Sequence, residues 1–171
     1  MTWWTKKPTE IRTLAPLYYG DAFGPAYLKT GYSIATDGAI YPGMVLQLVD
    51  DFTFDLADGD VTGADAIGGH FYGLCDHFVT ASVDESNAGI NPVAIWKDRG
   101  TYQIMGDALD SGSTYAVSSS GYTELIVGNT SDGNKGKLIP RGDVTADDQP
   151  TVALLLSVDG HVITVELLPP A

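Results

Sequence analysis

Four side chains that can bind metals or act as nucleophiles lie within eight residues of one another: His70, Cys75, Asp76 and His77. Structural zinc requires four ligands in a familiar spacing, and no second cluster completes such a set. In a strand, His70 and His77 would be an odd number of positions apart and would face opposite sides. We therefore predict ordinary core and rim residues here, with Cys75 as a small buried apolar side chain, and no metal site.

A second candidate is the acidic stretch Asp58-Gly-Asp-Val-Thr-Gly63, which resembles the start of an EF-hand calcium loop. It carries oxygen-bearing side chains at the first, third and fifth positions and glycine at the sixth. The twelfth position requires a bidentate glutamate but is Gly69, and no flanking helices are predicted. We favour a solvated acidic loop, with a weak cation site as the alternative.

Other catalytic motifs are missing from the sequence, which has no Gly-x-Ser-x-Gly elbow, Walker loop or dinucleotide fingerprint. Carboxylates are abundant, so a glycosidase-like pair is an alternative, but nothing isolates one pair. The tripeptide Arg141-Gly142-Asp143 matches a cell-adhesion motif; because matches of three residues arise by chance, we interpret it as a loop. We predict that the protein is not an enzyme, has no catalytic residues and binds no cofactor.

The charge balance argues against two classes of binding partner, nucleic acids and anionic membranes. Nine basic and 22 acidic residues give a net charge of −13 at pH 7, so the surface repels nucleic-acid phosphates and anionic membranes. The single cysteine, Cys75, cannot form an intrachain disulfide. No apolar run approaches the roughly eighteen residues of a membrane-spanning helix, and the N-terminus lacks a secretory signal pattern. We expect a protein that folds in a cytosol and binds neither nucleic acid nor membranes.

The composition predicts a mainly β fold. The chain contains 20 glycines and 44% hydrophobic residues, and no window combines helical spacing of apolar residues with caps at both ends. Short apolar runs alternate with turn signals about every ten residues, which indicates a small β-barrel or sandwich of short antiparallel strands. We predict a single β-domain over residues 32–171, with these strands: 44–49, 70–79, 93–97, 101–105, 114–117 and 122–127.

Turn residues suggest how these strands connect. Asp37-Gly38 would form a short hairpin, and Pro42-Gly43 would turn the chain into the strand that follows. Asp98-Arg99-Gly100 is predicted to be a hairpin loop with a left-handed glycine, which would set Trp96 opposite Tyr102. Residues 50–69 are predicted to be a long surface loop.

The hairpin at residues 151–168 is expected to close the domain. Asp159-Gly160 stands between two apolar runs and suits a two-residue type I′ turn. That turn would pair Leu154 with Val165 and Leu156 with Ile163 on one apolar face directed at the core. Replacement of Leu154 by aspartate is then expected to abolish folding.

Residues 1–31 differ from the rest of the chain. Prolines at positions 8, 16 and 25 discourage regular structure. We predict a largely irregular N-terminal arm that could grip a partner, with a strand or cap packed on the domain's own core as the alternative. Basic and tryptophan residues are concentrated in its first twelve positions: Trp3, Trp4, Lys6, Lys7 and Arg12.

The order of motifs from Tyr41 onward resembles the small β-domains of tailed-phage capsid decoration, or cement, proteins. The similarity covers about three quarters of the 171 residues. The chain differs from the simplest members in its long N-terminal segment and in the loop at residues 50–69. The matching segments are Tyr41-Pro-Gly-Met-Val-Leu, Phe71-Tyr-Gly-Leu, Thr101-Tyr-Gln-Ile before Gly106-Asp107, Gly112-Ser-Thr-Tyr-Ala-Val, Val152-Ala-Leu-Leu-Leu and Val162-Ile-Thr-Val-Glu-Leu.

The resemblance implies a structural virion protein that binds the outside of the expanded capsid and stabilises the shell, after assembly in the host cytoplasm. The implied partners are the major capsid protein and further copies of the chain, with a homotrimer favoured over a dimer or monomer. An arm that reaches across the shell recurs in this family, and here the arm residues Trp3, Trp4, Lys6, Lys7 and Arg12 are expected to contact the capsid protein or an adjacent copy.

The alternative function is a carbohydrate- or receptor-binding β-domain of a phage fibre or a secreted protein. Exposed aromatic side chains on a sheet face, such as Trp96 with Tyr102, would support it.

Overall fold

A computed structural model describes residues 14–18, 21–29, 32–33, 37–50, 53–59, 72–76, 78–79, 92–97, 100–129, 133–143 and 149–169. Within these residues the chain is mainly β, as predicted. Two short 3₁₀ turns, Gly106–Ala108 and Arg141–Asp143, interrupt the strands. The strands of the described residues are β1 (Leu14–Tyr18), β2 (Asp21–Leu28), β3 (Val45–Asp50), β4 (Thr53–Leu56), β5 (Tyr72–Cys75), β6 (Pro92–Lys97), β7 (Gly100–Met105), β8 (Thr123–Val127), β9 (Leu138–Pro140), β10 (Ala153–Asp159) and β11 (Val162–Leu167).

The strands form a barrel and a second, open sheet. Strands β2, β4, β3, β5 and β6 follow one another around the barrel, and the β2–β6 ladder closes it. The open sheet has the order β1-β7-β11-β10-β8-β9 among the described strands. The β2–β4 ladder is parallel, whereas the other ladders described are antiparallel. Both architectures, barrel and sheet, therefore occur in the one domain.

One hydrophobic core joins the barrel to the open sheet. The barrel contributes Leu46, Phe54 and Leu74, and the open sheet contributes Ile104 and Val165, all of them fully buried in the same cluster. Each such side chain contributes about 1.5–3 kcal/mol to stability through the apolar surface it removes from water. The shared core makes the two sheets interdependent.

The described part of the predicted arm belongs to the sheets. Strand β1 pairs with β7, and β2 pairs with β6 and β4. Pro16 is tolerated because β1 is an edge strand, and Pro25 falls where the β2–β6 register shifts between Phe23 and Ala26. This corrects the prediction of an irregular arm over that part and agrees with the alternative of strands packed on the domain.

The predicted hairpin between residues 93–97 and 101–105 does not form. Strand β6 lies between β2 and β5 in the barrel, and β7 lies between β1 and β11 in the open sheet, so neither has an edge free for the other. Gly100 is the first residue of β7 and does not have a left-handed φ. A Cβ there would lie 2.5 Å from the Tyr102 hydroxyl oxygen, so glycine makes room for the tyrosine ring.

The closing hairpin forms, but its register differs from the prediction. Asp159 pairs with Val162, so the two-residue loop is Gly160-His161, with Gly160 at a φ of 60°. A bulge between Leu155 and Ser157 accommodates the extra residue. As a result Leu155 takes the core position opposite Val165, and the prediction for Leu154 and Leu156 is wrong.

The other turn predictions have mixed outcomes. Pro42-Gly43 forms the expected turn: the Met44 N–H donates to the Tyr41 carbonyl at 3.0 Å, and Gly43 has a φ of 99°. These features define a type II turn. The predicted hairpin at Asp37-Gly38 is not seen among the described residues, because Ile40 forms its bridge with Val79 instead.

Two segments have a structure different from the predicted one. The predicted surface loop at 50–69 contains β4, where Phe54 and Leu56 are buried and pair with β3. The predicted strand at 114–117 is irregular and largely exposed. It is held by side chains, since the Thr123 hydroxyl donates to the Ala116 carbonyl at 2.7 Å.

Candidate functional site

A groove of about 680 Å³ lies between the segment 106–115 and the β10–β11 turn. Leu109 and Ile163 are buried and give it apolar surface. Asp107, Lys137 and His161 add groups that can carry charge or donate hydrogen bonds. The volume is within the range of about 300–1,000 Å³ typical of ligand pockets. Sequence reasoning missed this groove because its lining comes from segments far apart in the chain.

Hydrogen bonds hold one wall of the groove in place. The Asp110 carboxylate accepts from the Gly112 N–H at 3.2 Å and from the Ser113 hydroxyl at 2.8 Å. The Tyr115 hydroxyl accepts the Asp110 N–H at 3.0 Å and donates to the Leu138 carbonyl at 2.7 Å. Burial raises the pKa of Tyr115, so its hydroxyl keeps the proton that it donates. The wall is therefore anchored to β9.

The adhesion-like tripeptide is part of the domain's internal bonding. Arg141 Nε lies 2.8 Å from a Glu124 carboxylate oxygen, and its Nη2 donates to the Thr151 hydroxyl at 2.8 Å. Asp143 accepts the Thr114 N–H at 3.0 Å. Both charged side chains of the tripeptide therefore hold neighbouring segments together, and the interpretation as a structural loop agrees with the short 3₁₀ turn observed.

The residues first considered for metal binding do not form a site among the described residues. Cys75 is fully buried in β5, while Asp76 is exposed and accepts the Trp96 indole N–H at 2.6 Å. The described part of the chain contains no group of three or more His, Cys, Asp or Glu side chains able to hold a metal. His70, His77 and residues 60–69 of the EF-hand-like stretch lie outside the described residues.

The five predicted contact residues also lie outside the described part of the chain: Trp3, Trp4, Lys6, Lys7 and Arg12. Their assignment to a capsid or subunit contact stays a prediction.

A half-buried ionic cluster was not predicted from the sequence. Asp55, only 8% exposed, accepts from Lys29 at 2.5 Å and from Lys135 at 3.2 Å. Asp37 lies 3.7 Å from the same Lys29 ammonium. Burial lowers the pKa of Lys29, but its hydrogen bond to Asp55 and the charges of Asp55 and Asp37 outweigh this, so the pKa is raised overall. The cluster connects the residue that follows β2 and the strand β4 to the segment before β9.

Several raised pKa values predict a loss of stability at alkaline pH. Burial raises the pKa of Tyr72 to about 12 and also raises those of Tyr32 and Tyr115 above 10, while Asp55 and Asp37 raise that of Lys29. Above pH 10 the unfolded tyrosines lose protons that the folded ones retain, so the free energy of unfolding must fall as the pH rises.

Each retained proton contributes a slope of about 1.4 kcal/mol per pH unit. Denaturant titrations from pH 8 to 12 would measure this slope. The variant Tyr72→Phe should make the decline in the free energy of unfolding shallower between the pKa of the unfolded tyrosine and about 12. A free energy of unfolding that stays constant above pH 10 would contradict the prediction.

These features define a mainly β domain that joins a closed barrel and an open sheet around one core, with a groove at one end of the open sheet. No known protein family, curated protein or solved structure matches this chain. None of the helical segments in the described residues is long and apolar enough to cross a membrane.

Proposed function

We propose that this chain is a phage capsid decoration protein that binds the exterior of the shell and stabilises it. The observation that carries the proposal is the position of β1. This strand lies at an edge of the open sheet, pairs with β7, and directly follows the basic, tryptophan-bearing residues of the N-terminal segment. The segment therefore joins the domain at its periphery, where a partner is accessible.

The N-terminal segment has the reach to contact a neighbouring molecule. Thirteen residues precede β1, and an extended chain of that length spans about 43 Å. Tryptophan and arginine are among the residues that contribute most to binding at protein interfaces. Trp3, Trp4, Lys6, Lys7 and Arg12 are accordingly the residues we assign to contact with the capsid protein or an adjacent copy.

Charge is distributed unevenly along the chain. Residues 1–13 contain Lys6, Lys7, Arg12 and one acid, Glu10, for a net charge of +2, so the remaining residues carry −13 − 2 = −15. An acidic domain keeps away from packaged nucleic acid, and its basic segment is attracted to acidic surfaces. This asymmetry suits attachment to the outside of a shell.

Exposed apolar side chains supply a second part of the proposed contact surface. Tyr122 is 42% exposed and immediately precedes β8, while Leu156 and Val158 are exposed on the neighbouring strand β10. A specific interface needs about 1,000 Å² or more of buried surface, which an N-terminal segment and a sheet end together can provide. The same area suits association between copies, for which we propose a homotrimer.

The carbohydrate-binding alternative has less support from the described residues. Its proposed aromatic pair is not exposed as a whole: Tyr102 is 0% exposed, and the partly buried Trp96 already donates its indole N–H to Asp76. The two rings are in contact range, with centroids 6.5 Å apart, but they pack within the domain. We therefore favour the capsid-binding function.

Deletion of residues 1–12 is expected to reduce co-sedimentation with expanded capsids by at least about tenfold, equivalent to 1.4 kcal/mol of binding free energy. The heat resistance of the capsids should fall with it. The deletion leaves β1 intact, so circular dichroism should show an unchanged fold. A variant with a Gly/Ser segment of equal length separates side-chain chemistry from chain length. Undiminished co-sedimentation of the deletion variant would refute this assignment of the segment.

A further inference from the structure

Strand β1 begins next to the groove. Strand β1 is antiparallel to β7, and Leu14 pairs with Ile104. Strand β7 ends at Met105 and continues directly into Gly106 and Asp107, which line the groove. The first residue of β1, Leu14, therefore lies beside Ile104, two residues before Gly106 at the groove's edge.

We propose that this groove is a docking site for the chain's own N-terminal segment, residues 1–13. The segment is complementary in charge to the groove, because its net charge is +2, whereas the groove is lined by Asp107 and Asp110 against a single amine, Lys137. This inference does not depend on capsid binding. It adds that docking and capsid contact compete for the same basic and tryptophan side chains.

Asp107 is the main anchor in this arrangement. Its side chain is exposed and has no hydrogen-bond or ion-pair partner among the described residues, whereas both oxygens of Asp110 already accept hydrogen bonds from Gly112 and Ser113. Arg12 is two positions before Leu14 in the sequence, and Leu14 pairs with Ile104, so the proposed docking would place Arg12 near Gly106. An Arg12–Asp107 ion pair is the first contact that this placement provides.

The apolar part of the groove suits the tryptophan side chains. Val158 is 39% exposed there and lies opposite the buried Ile163 on β11. An indole ring placed against Val158 removes apolar surface from water, which contributes about 25 cal/mol for each Å² buried. The groove thus has an acidic edge at Asp107, near the start of β1, and apolar surface at Val158 on β10.

Docking of the segment into the groove of the same molecule is favoured over docking into the groove of a second copy. The open sheet spans about 20 Å from β7 to β9 at the usual spacing between strands, and the thirteen residues reach about 43 Å when extended. The groove is thus within reach of the attached segment, and a covalently attached ligand has an effective concentration in the millimolar range. A groove on another molecule has no such advantage.

Hydrogen exchange of the full chain, followed by mass spectrometry, tests the proposal. Amides of residues 1–13 should exchange about tenfold more slowly than those of a synthetic peptide with the same sequence. Asp107→Lys should abolish this protection, and Arg12→Asp combined with Asp107→Lys should restore it. Asp159→Lys is the matched control, because it makes the same charge change on an exposed residue at the end of β10 that is not among the residues lining the groove, and it should retain the protection.

Three results would overturn the proposal. They are exchange of the segment at the rate of the free peptide, equal loss of protection in the Asp107 and Asp159 variants, and protection that declines on dilution and so requires a second copy. Circular dichroism of each variant confirms that the domain itself is folded.

Discussion

Replacement of Leu155 by aspartate is expected to abolish folding, whereas the same replacement at Leu156 should leave the domain folded. Leu155 is 0% exposed, in contact range of Val165 and Thr123 on the strands to either side. An unpaired carboxylate there costs more than about 4–5 kcal/mol, a large part of a domain's total stability. Leu156 is 36% exposed at the bulge, so aspartate there stays hydrated and should cost about 1 kcal/mol or less.

Circular dichroism and denaturant titration of the two variants measure this difference. The milder pair Leu155→Ala and Leu156→Ala allows both free energies of unfolding to be determined, with about 2–5 kcal/mol expected for the buried position. If Leu156→Asp unfolds the protein and Leu155→Asp does not, the bulge and the register of the closing hairpin are wrong.

Replacement of Asp55 by asparagine should destabilise the protein by about 3 kcal/mol, because two lysines then lose their shared carboxylate in a largely buried position. Lys29 and Lys135 are 2.5 Å and 3.2 Å from the same oxygen, and their side chains are 32% and 18% exposed. Partial hydration of both lysines limits the cost compared with a fully buried ion pair. Asp37 stays near Lys29 and compensates for some of its charge.

The single variants Lys29→Met and Lys135→Met are the controls. Each leaves Asp55 with one lysine, so each should cost less than Asp55→Asn, while the double variant should cost more than the sum of the two. This non-additivity is expected because the three groups act as one network. Equal and strictly additive losses would show that Asp55 is not shared between the two lysines.

The sequence predicted the elements that depend on local chemistry. The type II turn at Pro42-Gly43 follows from proline's restricted φ and glycine's freedom to adopt a positive one. Strand β3 and the two strands of the closing hairpin were recognised from their apolar side chains. In each case the residues that determine the conformation are adjacent in the chain.

The predictions that are wrong concern which strands pair and in which register. Trp96 and Tyr102 have a favourable hairpin pattern, yet their strands enter different sheets because β2, β5, β1 and β11 take the available edges. At the closing hairpin, Asp159-Gly160 is a good turn pair, but the bulge at Leu156 lets the loop form one residue later. Local preferences of about 1 kcal/mol are outweighed by the burial of several large side chains.

The sequence by itself determined that this is an acidic, mainly β chain whose basic and tryptophan residues are concentrated at the N-terminus. Only the tertiary structure decided that β1 is an edge strand, that Asp55 lies between two lysines, and that a groove opens near the first residue of β1. These features join residues that are far apart in the chain, such as Lys29 and Lys135 around Asp55, which are 135 − 29 = 106 positions apart. Such contacts depend on how the two sheets pack around their shared core, which local patterns of residues do not specify.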